Sequence, residues 1–439
     1  MELKTEILKL AKNMEKKVIL RRRDLHMHPE PGWTEFRTAS IVAKTLTDLG
    51  YNIKVGDEIM KTSAMMGLPS QEKLELEMQR AIKQGADETW VKKMAGGKTG
   101  VVATMNFSED GPTVAMRFDM DSNDLIETTD QSHLPNIEGF SSQNPKAMHG
   151  CGHDGHTSMG LAVAEILATL KDQLKGKLKL IFQPAEEGVR GARAIVASGI
   201  VDDVDFMLGA HIGFKLKNTG DFLADIYGFL ATSKYDVTYK GLAAHAGANP
   251  ENGKNALLAA ANAALNLNAI ARHSGGASRI NVGVLEAGSG RNVIADHALI
   301  KLETRGETTE INEHMEAEMK RIVKASALMY DVEMKIEKVG GAIGGKNSPK
   351  LIPFIEEKAK NTGMFTNILG STNFGGSEDF SYFMERVQKN GGEAAYMLIG
   401  ASLAAGHHDS HFDFDEKALL KGVVTEANII SALLLGEYK

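Results

Sequence analysis

The run HGCGHDGH, residues 149–156, gathers three histidines, an aspartate and the only cysteine of a 439-residue chain. Thiolate, imidazole and carboxylate are the side chains that ligate divalent metals, and one soft donor among nitrogens and oxygens suits zinc, manganese or cobalt. A solitary cysteine ordinarily packs as a small hydrophobe. With Gly150 and Gly152 on either side and His153 two residues on, Cys151 reads instead as a ligand. Downstream, QPAEEG (183–188) offers the pair Glu186 and Glu187 in a turn fixed by Pro184 and Gly188. Adjacent side chains point different ways, so one carboxylate can hold a metal while the other reaches a water. A divalent ion can lower the pKa of a bound water from 15.7 toward about 7. A carboxylate within reach then takes the proton and delivers it to a leaving amine. The chemistry suited to these residues is amide hydrolysis.

Further donors stand at GAHIG (209–213), which holds His211, at GHHDSHF (406–412), and at RFDMDSND (117–124). Each ends or follows a β-rich run, where α/β enzymes place their sites. Ligands drawn from non-adjacent segments mark a catalytic metal centre, whereas structural zinc takes close Cys/His pairs. Asp119 and Asp121 read as supports that orient ligating groups. His26 and His28, just before Pro29, read as structural. The stretch GGAIGG (340–345) lacks the Lys-Ser/Thr of a phosphate loop and reads as a hinge.

The elements that must position these groups alternate strand and helix, the pattern of a sheet covered by helices. VVATMNF (101–107) and TVAMRFD (113–119) are strands joined by the turn SEDGP; a helix over 157–174 and the strand 177–183 follow. From 230 to 340 the order becomes strand, helix (252–272), strand, strand, helix (309–330), strand, which is the ferredoxin-like plan βαββαβ. The α/β pattern then resumes, so the expected division is a domain of 1–229 and 341–439 with 230–340 inserted. Residues 57–99 read as a helical excursion. At this length two domains are expected. A net charge of −7 gives no reason to expect nucleic acid or an anionic membrane as partner. One cysteine excludes an internal disulfide framework and fits a reducing, cytoplasmic setting. ALLAAANAALNLNAIA (256–271) is interrupted by asparagines, a buried helix and not a membrane span.

RRRDLHMHPEPGWTEFRTA (21–39), HGCGHDGHT, QPAEEG, GAHIG, GSEDFSYF (376–383) and a final His-x-x-x-Phe together resemble the metal-dependent amidohydrolases related to hippurate hydrolase and the plant indole-acetyl-amino-acid hydrolases, of the carboxypeptidase G/aminoacylase superfamily. The resemblance covers nearly the whole chain. It implies a zinc-peptidase-like catalytic domain with an inserted ferredoxin-like dimerisation and lid domain. It also implies two divalent metal ions per subunit (Zn or Mn, with Co possible) on Cys151, His153, Glu187, His211 and a C-terminal histidine, with Glu186 as general base. Counting back from Phe412 makes that histidine His408, and His407 and His411 stay as candidates. GLAAHAGANP (241–250) is similar to the family's histidine loop at His245; GSGRNVIADHALIKLETRG is similar to its asparagine turn at Asn292 and arginine strand at Arg305, with Arg291 in reserve. These imply substrate contacts. Ala295 replaces the usual proline after NVI, and AAHAGANPENG departs from the commoner His-Ala-Ala-x-Pro-His form, which implies an altered pocket. The opening segment, the excursion ending in MAGGKTGVVATM and the length most resemble the branch acting on p-aminobenzoyl-glutamate, a folate breakdown product. The implied reaction is its hydrolysis to p-aminobenzoate and glutamate. The alternatives are a general N-acyl-amino-acid amidohydrolase, or a metal-binding chain that works only with a partner; the implied assembly is a homodimer or a heterodimer with a related subunit.

Overall fold

A computed structural model describes residues 3–438. They form two compact units. The larger is built from the chain up to Tyr227, Lys346–Phe374, and Tyr382 onward. Its sheet runs Asn52–Val55, Val101–Asn106, Lys177–Gln183, Thr113–Asp119, Phe206–Ile212, Glu393–Ile399, Asp221–Leu223, Asn367–Leu369. The strands either side of SEDGP therefore do not pair with each other. Lys177–Gln183 lies between them, antiparallel to Val101–Asn106 and parallel to Thr113–Asp119. Leu178, Leu180, Ile181 and Phe182 are all buried, and a run apolar on both faces belongs inside a parallel sheet.

Four central strands run parallel: Lys177–Gln183, Thr113–Asp119, Phe206–Ile212 and Glu393–Ile399. The chain leaves Thr113–Asp119 for a neighbour on one side and returns to a neighbour on the other. The crevice outside the carboxyl ends at such a reversal is where α/β sheets bind ligands. Helices Leu3–Met27, His153–Thr169 and Lys417–Leu434 pack on one another beside this sheet. His153–Thr169 begins after Gly152, whose φ of 92° is a left-handed conformation open to glycine. Gly160 lets that helix approach the sheet, since a Cβ there would fall 2.7 Å from the Phe118 ring. Within 57–99 stand helices Gln71–Lys83 and Glu88–Lys93, N-capped by Ser70 and Asp87.

The smaller unit comprises Gly228–Gly345 and Gly375–Ser381. The second segment, expected in the catalytic domain, clusters here; Leu230 N donates to Gly376 O at 2.8 Å. Its antiparallel sheet has the order Glu333–Ala342, Ala231–Lys240, His297–Gly306, Ser278–Ala287. Helices Ala256–Asn268 and Thr309–Met329 complete a strand–helix–strand–strand–helix–strand succession. The first is shorter than the expected 252–272 because Asn255 caps it through Leu258 N and Pro250–Asn252 forms a separate 3-10 turn. Val237, Tyr239, Ala260, Ala263, Ile300, Met315 and Met319 fill the core between helices and sheet. Alternate strand residues, among them Arg279, Asn281, Glu303 and Arg305, stand on the other face. Among the described residues no helix is long and apolar enough to cross a membrane.

Candidate metal centre

The carboxyl ends of the parallel strands bring the metal-ligating side chains together. Cys151, His153 and His211, all buried, place a sulfur and ring nitrogens within 4.8 Å of one another. Cys151, Glu187 and His408 form a second such group, and His153, Glu186 and Glu187 a third. Cys151 Sγ lies 3.5 Å from His211 Nε2, and His408 Nε2 lies 3.2 Å from Glu187 Oε1.

The ring orientations are set from outside the cluster. His153 Nδ1 donates to Asp121 O at 2.9 Å, and His211 Nδ1 donates to Ile212 O at 2.7 Å. A carbonyl only accepts, so Nδ1 carries a proton in both rings and Nε2 is the nitrogen left to ligate when the ring is neutral. His153 Nε2 is buried with no hydrogen-bond partner among the described residues. Of the three C-terminal histidines, His407 accepts the Phe214 amide on Nε2 at 2.8 Å and stacks on the Phe214 ring. His411 is exposed against Asp409. His408, held at a φ of 65°, is the one that meets Glu187.

Electrostatics point the same way. Burial, with Glu187 beside it, pushes the Cys151 thiol well above its usual range. A thiolate forms there only alongside a cation. Burial and the neighbouring His156 and His407 keep His211 neutral. For Glu187, burial lifts the carboxyl, but hydrogen bonding to His408 and the charge of His153 outweigh it and hold it at about 2. For His153, burial works against the proton, and Asp119 and Asp121 overcome it. An orphaned buried nitrogen, a thiol and carboxylates converging on one spot fit a divalent metal centre.

Residues 115–432 match the model of Peptidase family M20/M25/M40. The chain belongs to that family. It is 48% identical over 407 residues to the indole-3-acetyl-aspartic acid hydrolase of Enterobacter agglomerans, covering 92% of this chain and 93% of that protein. It is 46% identical over 407 residues, with the same coverages of 92% and 93%, to one of the chains that make up the p-aminobenzoyl-glutamate hydrolase of Escherichia coli K12. The crystal structure of the aminobenzoyl-glutamate utilization protein from Klebsiella pneumoniae superposes with a TM-score of 0.84 at 40% identity, covering 98% of this chain and 97% of that one. The chain is accordingly an M20 amide hydrolase.

What holds the glutamate turn of this M20 hydrolase is absent from its local sequence. Asp121 accepts the Glu186 amide at 3.0 Å on one oxygen and the Glu187 amide at 2.8 Å on the other. Glu35 accepts the Ala185 amide at 2.8 Å and the Thr99 hydroxyl at 2.6 Å. Three consecutive amides are thus held by two buried carboxylates, and they fix Ala185 at a φ of 52°, a left-handed conformation for a residue with a Cβ. Burial and the nearby Asp121 push the Glu35 carboxyl up to about 8. Asp119 is occupied by Arg117 and His156, each at 2.5 Å. His26 bridges Asp154 and Glu127, and Arg22 binds Asp154 at 2.8 Å, beneath the start of the helix that follows Cys151.

The other expected site residues, His245, Asn292 and Arg305, lie in the smaller unit. His245 Nδ1 accepts the Gly247 and Ala248 amides, both at 3.1 Å, and the Asn292 carbonyl accepts the Ala246 amide at 3.0 Å, so the histidine loop and the asparagine turn adjoin. Arg305 spends Nε and Nη2 on Glu303, at 2.9 and 3.2 Å.

Proposed function

We propose that the chain hydrolyses p-aminobenzoyl-glutamate to p-aminobenzoate and glutamate at a two-metal centre. The ligands are Cys151, His153, Glu187, His211 and His408, and Glu186 is the general base. The observation that carries this reading is that Cys151 joins His153 and His211 in one group of donor atoms within 4.8 Å and Glu187 and His408 in another, while Glu186 and Glu187 group with His153. Five donors exceed what one four-coordinate ion takes. Divalent ions (Zn or Mn, or Co), when bound, supply carbonyl polarisation and an activated water. The residues do the rest. The amides held by Asp121 and Glu35 orient the glutamate pair; Glu186 removes the nucleophile's proton and returns it to the departing amine. His245, Asn292 and Arg305 bind substrate. Residues 1–229 and 341–439, apart from 375–381, form the catalytic domain, with 57–99 its helical excursion, and 230–340 the dimerisation and lid domain of a homodimer or a heterodimer with a related subunit. The single cysteine supports a cytoplasmic setting. Indole-3-acetyl-aspartate is the second reading, favoured by the relative at 48% identity; both substrates join an aromatic acyl group to an acidic amino acid.

The test is metal analysis of the purified chain together with release of amine from p-aminobenzoyl-glutamate, indole-3-acetyl-aspartate and hippurate, with and without a related second chain. About two ions per chain and preferential release of glutamate are expected. Turnover of hippurate at an equal rate would replace the substrate reading with a general N-acyl-amino-acid hydrolase. Absence of metal would remove the mechanism.

A further inference from the structure

The smaller unit carries a second concentration of charge, on the sheet face that its two helices leave open. Arg279 on the edge strand lies directly opposite Arg305, and Asn281 opposite Glu303. Like charges set across a strand pair destabilise it. Glu303 compensates only Arg305, through two hydrogen bonds. Glu307, also at this end of the sheet, accepts the Ala277 amide at 2.8 Å. Arg272 enters from the loop after Ala256–Asn268, and Ser278 Oγ pins that loop by accepting the His273 amide at 2.9 Å. Among the described residues neither Arg272 nor Arg279 has a carboxylate partner. With Ser278, Asn281, Glu303 and Arg305 they line an open cavity of about 340 Å³, within the size range of small-ligand sites.

We propose that this cavity is a subsite for a short dicarboxylate, with Arg272 and Arg279 as its specificity-determining residues and Arg305, oriented by Glu303, as the third cation. Guanidinium forks match carboxylates bidentately, which ammonium groups do not. A monoanion would leave one of the two uncompensated guanidiniums without a counter-charge; a dicarboxylate answers both. Glutamate and aspartate belong to this class, as the amino-acid half of an amide or as the free product. Only the first source rests on the substrate reading above.

Two measurements on the full chain test the subsite. In calorimetric titration with glutarate, the double variant Arg272→Gln/Arg279→Gln should lose about tenfold or more in affinity, while Lys301→Gln on the same sheet face should not. In kinetics, Arg279→Gln should raise KM for p-aminobenzoyl-glutamate about tenfold, sparing kcat and leaving p-aminobenzoyl-glutamine unchanged, if the ligand is the substrate's own amino acid. Loss of glutarate affinity with both KM values unmoved assigns the subsite to free dicarboxylate. Glutarate that fails to bind the wild type, binds the double variant equally, or is weakened as much by Lys301→Gln overturns the proposal. Absence of turnover in the wild type would sink the hydrolytic reading and leave the glutarate titration to decide the subsite.

Discussion

The metal-ligating cluster of the larger unit and the open sheet face of the smaller one are both rich in charge, yet they are built in opposite ways. Around Cys151 most of the polar atoms are buried, the half-exposed His408 excepted, and several are tied to a partner from another element: Asp121 to two amides, His153 to the Asp121 carbonyl, Asp119 to His156. On the open face Arg272 and Arg279 are exposed, as are His245 and Asn292 in the loops of the same unit, and the Glu303–Arg305 pair retains roughly a third of its side-chain surface (27% and 30%) in contact with water. An exposed pair of that kind contributes little to stability. On the roles proposed above, the difference separates two tasks. Groups that must meet developing charge are held where nothing can reorganise; groups that select a ligand stand where side chains can adjust to it.

That contrast breaks first at the glutamate pair. Glu186→Gln should lower turnover by about 10²–10⁴-fold with metal content intact, whereas Glu187→Gln should lose metal as well. Reading kcat and metal content on both variants tests the division of labour, and the reverse pattern would exchange the roles. Next in size is Asp121→Asn. Its side-chain amide offers one accepting oxygen where two amides now donate, so metal affinity or activity should fall by about 10–100-fold. An unchanged kcat and unchanged metal content would mean that Glu35 alone holds the turn. On the exposed side, Arg305→Lys should cut kcat/KM by about tenfold, mainly through KM. The effect should shrink on a substrate analogue with its glutamate carboxylates amidated; an equal loss on both would make Arg305 a support of the fold.

The smallest effect sharpens the comparison by separating burial from function. Glu426, in the helix Lys417–Leu434, is buried and neither of its oxygens has a hydrogen-bond partner among the described residues. Burial alone pushes its carboxyl up from 4.5 to about 8. The folded chain then keeps a proton that the unfolded chain has released. Stability is therefore intact below the ordinary value and falls as pH rises from 4.5 to about 8, with Glu35 adding to the same slope. Glu426→Gln should flatten part of that decline and raise stability near pH 8 by about 1 kcal/mol. Urea midpoints at about pH 5 and about pH 8 read it; equal shifts at both would acquit the ionisation.

The donors themselves were legible because each sits in a short motif at the end of a strand whose apolar pattern is plain. Their supports were not. Glu35 meets Ala185 across 150 positions and Arg22 meets Asp154 across 132, and no local pattern encodes a buried pair that only packing brings together. SEDGP illustrates the same limit in the fold: turn chemistry says where the chain bends, not which strand it then lies beside. The doubly buried Lys177–Gln183 decided that. Among His407, His408 and His411, spacing named His408, but a backbone amide that occupies His407 and a positive φ at His408 are facts of three dimensions.

The lone cysteine has a practical and a chemical consequence. Every sulfhydryl signal from this protein comes from Cys151, 4% exposed and set within the donor cluster. Buried and held protonated, that thiol should resist thiol reagents while the chain is folded, so its labelling, between none and one per chain, reports unfolding. The same solitude matters once unfolding exposes the sulfur. A sulfenic acid formed there finds no second cysteine in the chain to trap it as a disulfide, so its next steps are further oxidation or rescue by a thiol from outside.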